Sequence, residues 1–376
     1  MKNKIITIVF IIVLGALSIM NVFTPKRGYS EGENRFLAQK PEFTLEAILN
    51  NTFSKEYEEY ITDQFTLRDM WVSVKNKAEI YLGKKDNGRV YFGKDGYLIE
   101  KHSEEGVNQE LIKKNIAFIK EFIEGIKDDV PLENINMIIA PTIDGVQKDK
   151  LPAYAEVFNQ EELLNVLEES FSNINYIDVK ETLEENRQEY IYYRTDHHWT
   201  TYGAFLAYKE WCEDKGIAVD IEDYSIEQVT DKFLGSTYAQ ANILWGDPDT
   251  IEIYEPREKV DLNLEFNLGE KTTDTLYDYS KLEGRDKYGM FLWGNDPIVK
   301  IKSSNENGKK VIVIKDSYGN CFIPFMAKDY EEIHVIDLRY YNGDVKEYIK
   351  DNGIPEVLFL YNTISFAQDT NIIKLK

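Results

Sequence analysis

The first long pattern in the chain is an uncharged apolar run from Ile5 to Phe23. As a helix it would be about 29 Å long, close to the hydrocarbon thickness of a bilayer. Lys2 and Lys4 before it place the N-terminus on the cytoplasmic side, against the weaker opposing signal of Lys26 and Arg27. No strong small-x-small cleavage site follows the run, so residues 1–24 are expected to be an uncleaved membrane anchor, with a cleaved signal segment and a secreted protein as the alternative; either way everything from about residue 25 is expected outside the cytoplasm. Polar residues 25–52 read as a juxtamembrane linker. Apolar and aromatic residues at helical spacing then predict helices over Phe53 to Phe65 and Leu67 to Leu82, ending at Gly83.

Beyond this the pattern changes character. VYFGKDGYLIE predicts a hairpin turning at Gly93-Lys-Asp-Gly96. Ile112, Ile116, Ile119, Ile123 and Ile126 recur at steps of four and three, predicting an amphipathic helix over Gln109 to Lys127. Short apolar runs INMIIAP, NYIDV, KVIVI, EIHVI and EVLFL read as strands, and IYYRT as a further candidate. Helical segments near Glu161–Ser170, Trp199–Lys215, Tyr318 onward and Val345–Lys350 alternate with them. That alternation predicts an α/β fold with a parallel sheet covered on both faces. Residues 53–376 are thus expected to form one domain. The turn-rich region 220–308, with runs TIEIY, VDLNLEF and IVKIK, reads as a partly β excursion from the main sheet.

Composition narrows the partners. A net charge of −22 argues against nucleic acid, which needs a basic footprint. The two cysteines, Cys212 and Cys321, fit no zinc spacing and read as buried thiols.

Two segments carry candidate chemistry. Val311-Ile-Val-Ile-Lys-Asp-Ser317 runs a buried strand into Asp-Ser before a helix. Hydrolases place nucleophiles at such turns, although serine is also an ordinary helix cap. Arg194-Thr-Asp196-His197-His198-Trp199 holds two of the four histidines. It could bind a metal, supply the base and orienting carboxylate of a triad, or cap a helix through Thr195 or Asp196. The spacing favours pairing Asp196 with His198. Metal binding lacks support, since His102 and His334 sit in no HxxE or ExxH context. The additional Asp-rich motifs of DHH phosphoesterases, and the many cysteines and membrane spans of DHHC acyltransferases, are not seen.

Taken in order, the motifs resemble the DHHW family, relatives of the alginate O-acetylation proteins with an SGNH-hydrolase-like fold. The resemblance runs through Ser30-Glu-Gly-Glu-Asn-Arg35, Asp63-Gln-Phe-Thr-Leu-Arg68, Val90 to Leu98, Ile139-Ala-Pro141, Lys150-Leu-Pro152 and Thr195 to Thr200. It continues in Phe233-Leu-Gly-Ser236, Lys315-Asp-Ser317, Asp337 to Tyr341 and Leu360-Tyr-Asn362. It implies an SGNH-like parallel sheet flanked by helices, with a triad permuted in sequence: Asp196 orienting, His198 as base, Ser317 as nucleophile. Lys315-Asp-Ser stands where ordinary SGNH enzymes have Gly-Asp-Ser. His197, Asn320 and Asn362 are candidate substrate or oxyanion groups. Arg194 and Arg339 are candidates to meet substrate or a carboxylate, and Tyr193 and Trp199 to stack on a sugar.

The expected activity is extracytoplasmic O-acetylation of a surface polysaccharide through a serine acyl-enzyme, without metal or soluble cofactor. The resemblance implies a membrane acyl-transfer protein as acetyl donor. A carbohydrate esterase with the same triad, a non-catalytic polysaccharide-binding or assembly protein, and a metal-dependent hydrolase are the alternatives.

Overall fold

The structure is a computed structural model that describes residues 2–30, 35–243 and 245–376. The chain forms two compact units, one made of residues up to Arg89 with Tyr238–Gly246, the other of Val90–Thr237 with Asp247–Lys376.

In the first unit, α1 (Lys2–Phe23) contains the stretch Lys4–Phe23, of mean hydropathy 2.7, long and apolar enough to cross a membrane. A short antiparallel pair, β1 (Tyr29–Ser30) and β2 (Arg35–Phe36), precedes α2 (Leu45–Leu49), α3 (Thr52–Asp63) and α4 (Arg68–Tyr81). Residues 31–34 of the Ser30–Arg35 motif lie outside the described residues. The chain after α1 is held against the start of α4: the Arg27 N–H donates to Gln64 and its guanidinium pairs with Asp69. Asn76 and Asn87 donate to backbone carbonyls in Gln240–Asn242. These bonds all lie within the first unit; the second starts at Val90.

The second unit opens with the hairpin β3 (Val90–Phe92) and β4 (Leu98–Glu100), whose turn has positive φ at Asp95 and Gly96. There follow α5 (Gln109–Ile126), β5 (Ile135–Ala140), α6 (Ile143–Val146), α7 (Gln160–Ser170), β6 (Asn175–Ile177), α8 (Lys180–Glu185) and α9 (Thr201–Asp214). Next come β7 (Tyr224–Phe233), then α10 (Ser236–Ala241), which passes into the first unit after Thr237, and back in the second unit β8 (Asp249–Pro256), β9 (Leu262–Phe266), β10 (Lys271–Thr273), β11 (Ile298–Ser303) and β12 (Lys310–Lys315). The chain closes with α11 (Gly319–Met326), β13 (Glu332–Ile336), α12 (Val345–Asn352), β14 (Val357–Asn362) and α13 (Thr363–Gln368).

Eight strands form the main sheet, in the order β10-β9-β11-β13-β12-β14-β5-β6. The five from β13 to β6 are parallel; β11, β9 and β10 are antiparallel. The sheet is therefore mixed where an all-parallel one was expected. Region 220–308 is only partly an excursion. IVKIK and VDLNLEF join the main sheet, because β11 pairs with β13 and offers its other edge to β9. Only β7 and β8 make a separate antiparallel ribbon. IYYRT forms no strand beyond a single bridge from Tyr192 to Trp199.

Pleating divides the core in two. Along β12, Val311 and Val313 point into one cluster with α9 and α11, while Ile312 and Ile314 point into another with α5, α7 and α12. Leu358 and Leu360 of β14 follow the first set, Val357 and Phe359 the second. Both cysteines are buried and unpaired.

At β12 the topology reverses. Its crossover leads to β13 on one side, while β5 leads to β6 on the other. In open α/β sheets, the strand ends beside such a reversal form a crevice where ligands bind. Phe359, fully buried, fills the face under α5 against Phe122. Phe359→Ala is expected to destabilise this unit by about 3–5 kcal/mol, measured as a lowered denaturation midpoint.

Candidate active site

Ser317 follows the end of β12, two residues before α11 begins. Asp196 and His198 lie in the loop that leads into α9. That helix is capped by Thr200, whose Oγ1 accepts from the Gly203 N–H, and not by Thr195 or Asp196. Thr195 is held instead by Asp249, which also accepts from the Arg194 N–H and the Tyr190 hydroxyl. The loop is thus fastened at both ends, leaving Asp196 and His198 free to face β12.

The three side chains form one hydrogen-bonded line. His198 Nε2 lies 2.7 Å from Ser317 Oγ. His198 Nδ1 lies 2.5 Å from Asp196 Oδ1, which also accepts the His198 backbone N–H. Asp196 Oδ2 accepts the Ser236 N–H at 2.7 Å. Asp196 and His198 are buried, and Ser317 is half-buried.

Burial opposes the charge on Asp196, but the two histidines and the Ser236 N–H outweigh it and hold the carboxyl well below its ordinary range. Burial, reinforced by neighbouring His197, pushes His198 down to about 4 against the pull of Asp196 and Glu100. The imidazole is therefore neutral near pH 7, with Nδ1–H donated to Asp196 and Nε2 facing the serine hydroxyl.

Aromatic packing fixes the ring. Tyr288 stacks on His198 with centroids 3.7 Å apart and planes 10° from parallel. Its hydroxyl donates to the Ser317 carbonyl. On the other side, His197 lies 3.8 Å from the His198 ring, tilted by 38°. His197 Nδ1 contacts Ser236 Oγ at 2.7 Å, so Ser236 supports both residues of the segment.

The remaining sequence candidates fall elsewhere. Asn320 accepts from Lys315 Nζ and donates to Asn295, so its amide is occupied. The Asn362 backbone and side-chain N–H groups donate to Asp316 Oδ2, and its Oδ1 caps α13, which removes it as a free donor. Tyr193 and Trp199 are fully buried core rings, and Trp199 donates to the Tyr318 carbonyl; neither presents a face to a sugar. The Arg194 guanidinium packs over Tyr190 and Tyr97. Arg339 makes a bidentate pair with Asp337.

Asp196, His197 and His198 offer three ligand atoms within 4.8 Å of one another. A cation there would compete with the bonds to Ser236 and Ser317, so the donor set is already committed to hydrogen bonding.

Four supporting residues were not singled out from sequence: Tyr288, Asp249, Ser236 and Gly235. A Cβ on Gly235 would sit 2.3 Å from Asp196 Oδ2, so only glycine lets the chain reach the carboxylate. Gly235 and Ser236 lie in Phe233-Leu-Gly-Ser236, one of the segments that carry the family resemblance. Tyr288 carried no signal in a chain with 25 tyrosines.

Comparison with known proteins places the chain in a family. The DHHW protein family model matches residues 105–336. The chain belongs to the DHHW family. A DHHW family protein from Eubacterium siraeum is similar in structure, with TM-score 0.63 and 28% identity over 76% of this chain and 93% of that one. Bacillus cereus PatB1 shares the fold at TM-score 0.64 and 23% identity, over 75% of this chain and 98% of its own. A second PatB1 structure, carrying a sulfonyl adduct, has TM-score 0.64 and 22% identity over 75% of this chain and 97% of that one. No curated protein matches the sequence.

Three outcomes are expected. Gly235→Ala displaces Asp196 and lowers turnover of an activated ester by about a hundredfold, while Gly106→Ala, with room for its Cβ, leaves it unchanged. The pH–rate profile keeps its plateau through pH 6 and falls below it, because a depressed imidazole stays neutral further into acid. An acid limb at the ordinary histidine value of about 6.5 would contradict the assignment. The same depression makes His198 cost stability increasingly as pH falls from about 6.5 towards 4, since the unfolded chain then binds the proton more readily.

Proposed function

We propose that this protein is an extracytoplasmic, serine-dependent O-acetyltransferase acting on a hydroxyl of a surface polysaccharide. The observation that carries the proposal is the line Asp196–His198–Ser317, with 2.5 Å and 2.7 Å contacts at the two imidazole nitrogens. Such a line activates a serine hydroxyl for acyl transfer.

His198 Nε2 takes the Ser317 proton as Oγ attacks the carbonyl carbon of an acetyl donor. Asp196 stabilises the imidazolium that forms. The Ser317 backbone N–H has no partner among the described residues and lies at the turn before α11, where it can donate to the tetrahedral oxyanion. Collapse expels the donor's leaving group, which takes the proton from His198, and leaves acetyl-Ser317. A sugar hydroxyl then enters, gives its proton to His198 and attacks the acetyl carbonyl. The ester forms on the sugar, and His198 returns the proton to Ser317.

The polysaccharide acceptor is supported by the sequence resemblance. The apolar helix α1 supports an anchored enzyme facing away from the cytoplasm, which calls for a membrane acyl-transfer protein to deliver the acetyl group.

The full chain in detergent, treated with an activated acetyl ester, is expected to gain one acetyl group on Ser317 by intact-mass and peptide mass spectrometry. Ser317→Ala and His198→Ala are expected to gain none. Added oligosaccharide should capture the acetyl group faster than water does; persistent hydrolysis with no capture would establish an esterase, and no adduct at all would remove the enzymatic reading.

A further inference from the structure

The helix α4 carries its apolar residues on the outside. Leu67, just before it, and Met70, Trp71, Val74, Ala78 and Tyr81 within it are all exposed, Trp71 at 44%, Val74 at 54% and Tyr81 at 91%. At 3.6 residues per turn they fall on one stripe running the length of the helix. The covered face is polar instead. It holds Ser73 and Asn76, and Asn76 Nδ2 donates at 3.0 Å to the carbonyls of both Ala241 and Asn242. A helix facing water is built the other way round, with its apolar stripe inward. A continuous exposed apolar face marks contact with something apolar.

Hydrogen bonds fix the start of this stripe at the end of α1. The Thr66 N–H donates to Asn21 Oδ1 at 3.2 Å, and the Thr66 and Thr24 hydroxyl oxygens lie 3.1 Å apart. Gln64 accepts the Arg27 N–H at 2.9 Å and donates to the Arg27 carbonyl at 2.8 Å. Asn21 is in the last turn of α1, and Thr24 directly follows that helix. The Lys4–Phe23 stretch is about 30 Å long, so a bilayer that it crosses has its surface at that turn. Thr66 and Leu67 therefore sit level with the membrane surface.

The direction of α4 follows. Residues Ile5 to Leu14 of α1 are exposed, so α4 does not run back beside them through the hydrocarbon. The stripe from Leu67 to Tyr81 is about 21 Å long, and all of it meets lipid only when the helix lies along the surface. The edges of the stripe suit that setting. Lys77 flanks it on one side and Lys75 on the other. Lysines at the border of an apolar face reach lipid phosphates with their ammonium groups while their stems cover acyl chains. Trp71 and Tyr81 are the ring types that favour the layer between headgroups and hydrocarbon.

We propose that α4 is an interfacial membrane helix, its apolar stripe seated in the extracytoplasmic leaflet of the bilayer that α1 crosses. The proposal rests on the anchored reading of α1 and adds a second lipid contact to it. One crossing helix leaves the chain free to rotate about the membrane normal and to tilt. A second helix lying in the leaflet restricts the tilt of the first unit.

The test is nitroxide power saturation on the full chain in vesicles of phosphatidylcholine and phosphatidylglycerol. Single labels go on Val74→Cys and Ala78→Cys in the stripe, on Ile12→Cys in α1, and on Lys113→Cys, an exposed position of α5, as the aqueous standard. All four positions are exposed, so the substitutions leave the core intact, and the buried Cys212 and Cys321 are shielded from the label. Labels at 74 and 78 are expected to be at least about fivefold less accessible to a water-soluble nickel chelate than the label at 113, while staying open to oxygen. Nickel access at 74 and 78 equal to that at 113 would overturn the interfacial helix. So would exclusion of both nickel and oxygen there, which would mean a protein partner or a second copy covers the stripe. The label at 12 separates this proposal from the anchor. Protection at 12 with open access at 74 and 78 keeps the anchor and removes only the interfacial helix. Open access at 12 removes the anchor, whatever the stripe shows.

Discussion

The site depends on keeping Asp196 ionised while it is buried. A carboxylate removed from water is stable only when its oxygens are satisfied, and here they are: one by the imidazole and backbone N–H of His198, the other by the Ser236 N–H. Each donor is fixed by something else. Ser236 reaches Asp196 because Gly235 has no side chain to keep it away. His198 holds its orientation because Tyr288 stacks on it, and Tyr288 is tied to Ser317 through the serine's own carbonyl. Asp196, His198 and Ser317 are therefore coupled through packing as well as through hydrogen bonds.

The sheet supplies the meeting place. Asp316, beside Ser317, anchors the end of β12 to the end of β14 by accepting the backbone N–H and a side-chain N–H of Asn362. This locks the turn carrying Ser317 at the reversal of strand order, where the crevice opens. Lys315 is buried below it and shares Asn295 and Asn320 as partners. Burial pushes the Lys315 amine down to about 8, despite the carboxylate of Asp337. The turn thus rests on a polar network in which residues that look like substrate donors in the sequence are already occupied.

Much of this was legible in the sequence, for identifiable reasons. Strands such as KVIVI and EVLFL are buried on both faces, so they are continuously apolar and stand out. The α5 helix has a clean isoleucine stripe because only one of its faces meets the sheet. The Asp-x-His spacing survived because the pair is local: two residues apart, both side chains can meet without help from the rest of the fold. What failed was non-local. Nothing in IVKIK announces that it will pair antiparallel with EIHVI and carry β9 with it. Asn320 and Asn362 have suitable chemistry at suitable strand ends, yet hydrogen-bond partners distant in sequence take up their donors. Tyr193 and Trp199 read as sugar-stacking rings because nothing in a sequence marks which aromatic residues the core will absorb. Tyr288 was missed because its importance lies wholly in the ring that packs against it.

The most direct test of the central claim, that Asp196, His198 and Ser317 act as one unit, is the rate at which an aryl sulfonyl fluoride modifies the full-length protein. Peptide mapping would identify the modified residue. Labelling is expected at Ser317 alone, slowed at least about a hundredfold in both His198→Ala and Asp196→Ala, since each removes a link in the same proton-transfer line. Labelling of Ser317 at an unchanged rate in those variants would show that its hydroxyl does not depend on the line, and would contradict the account.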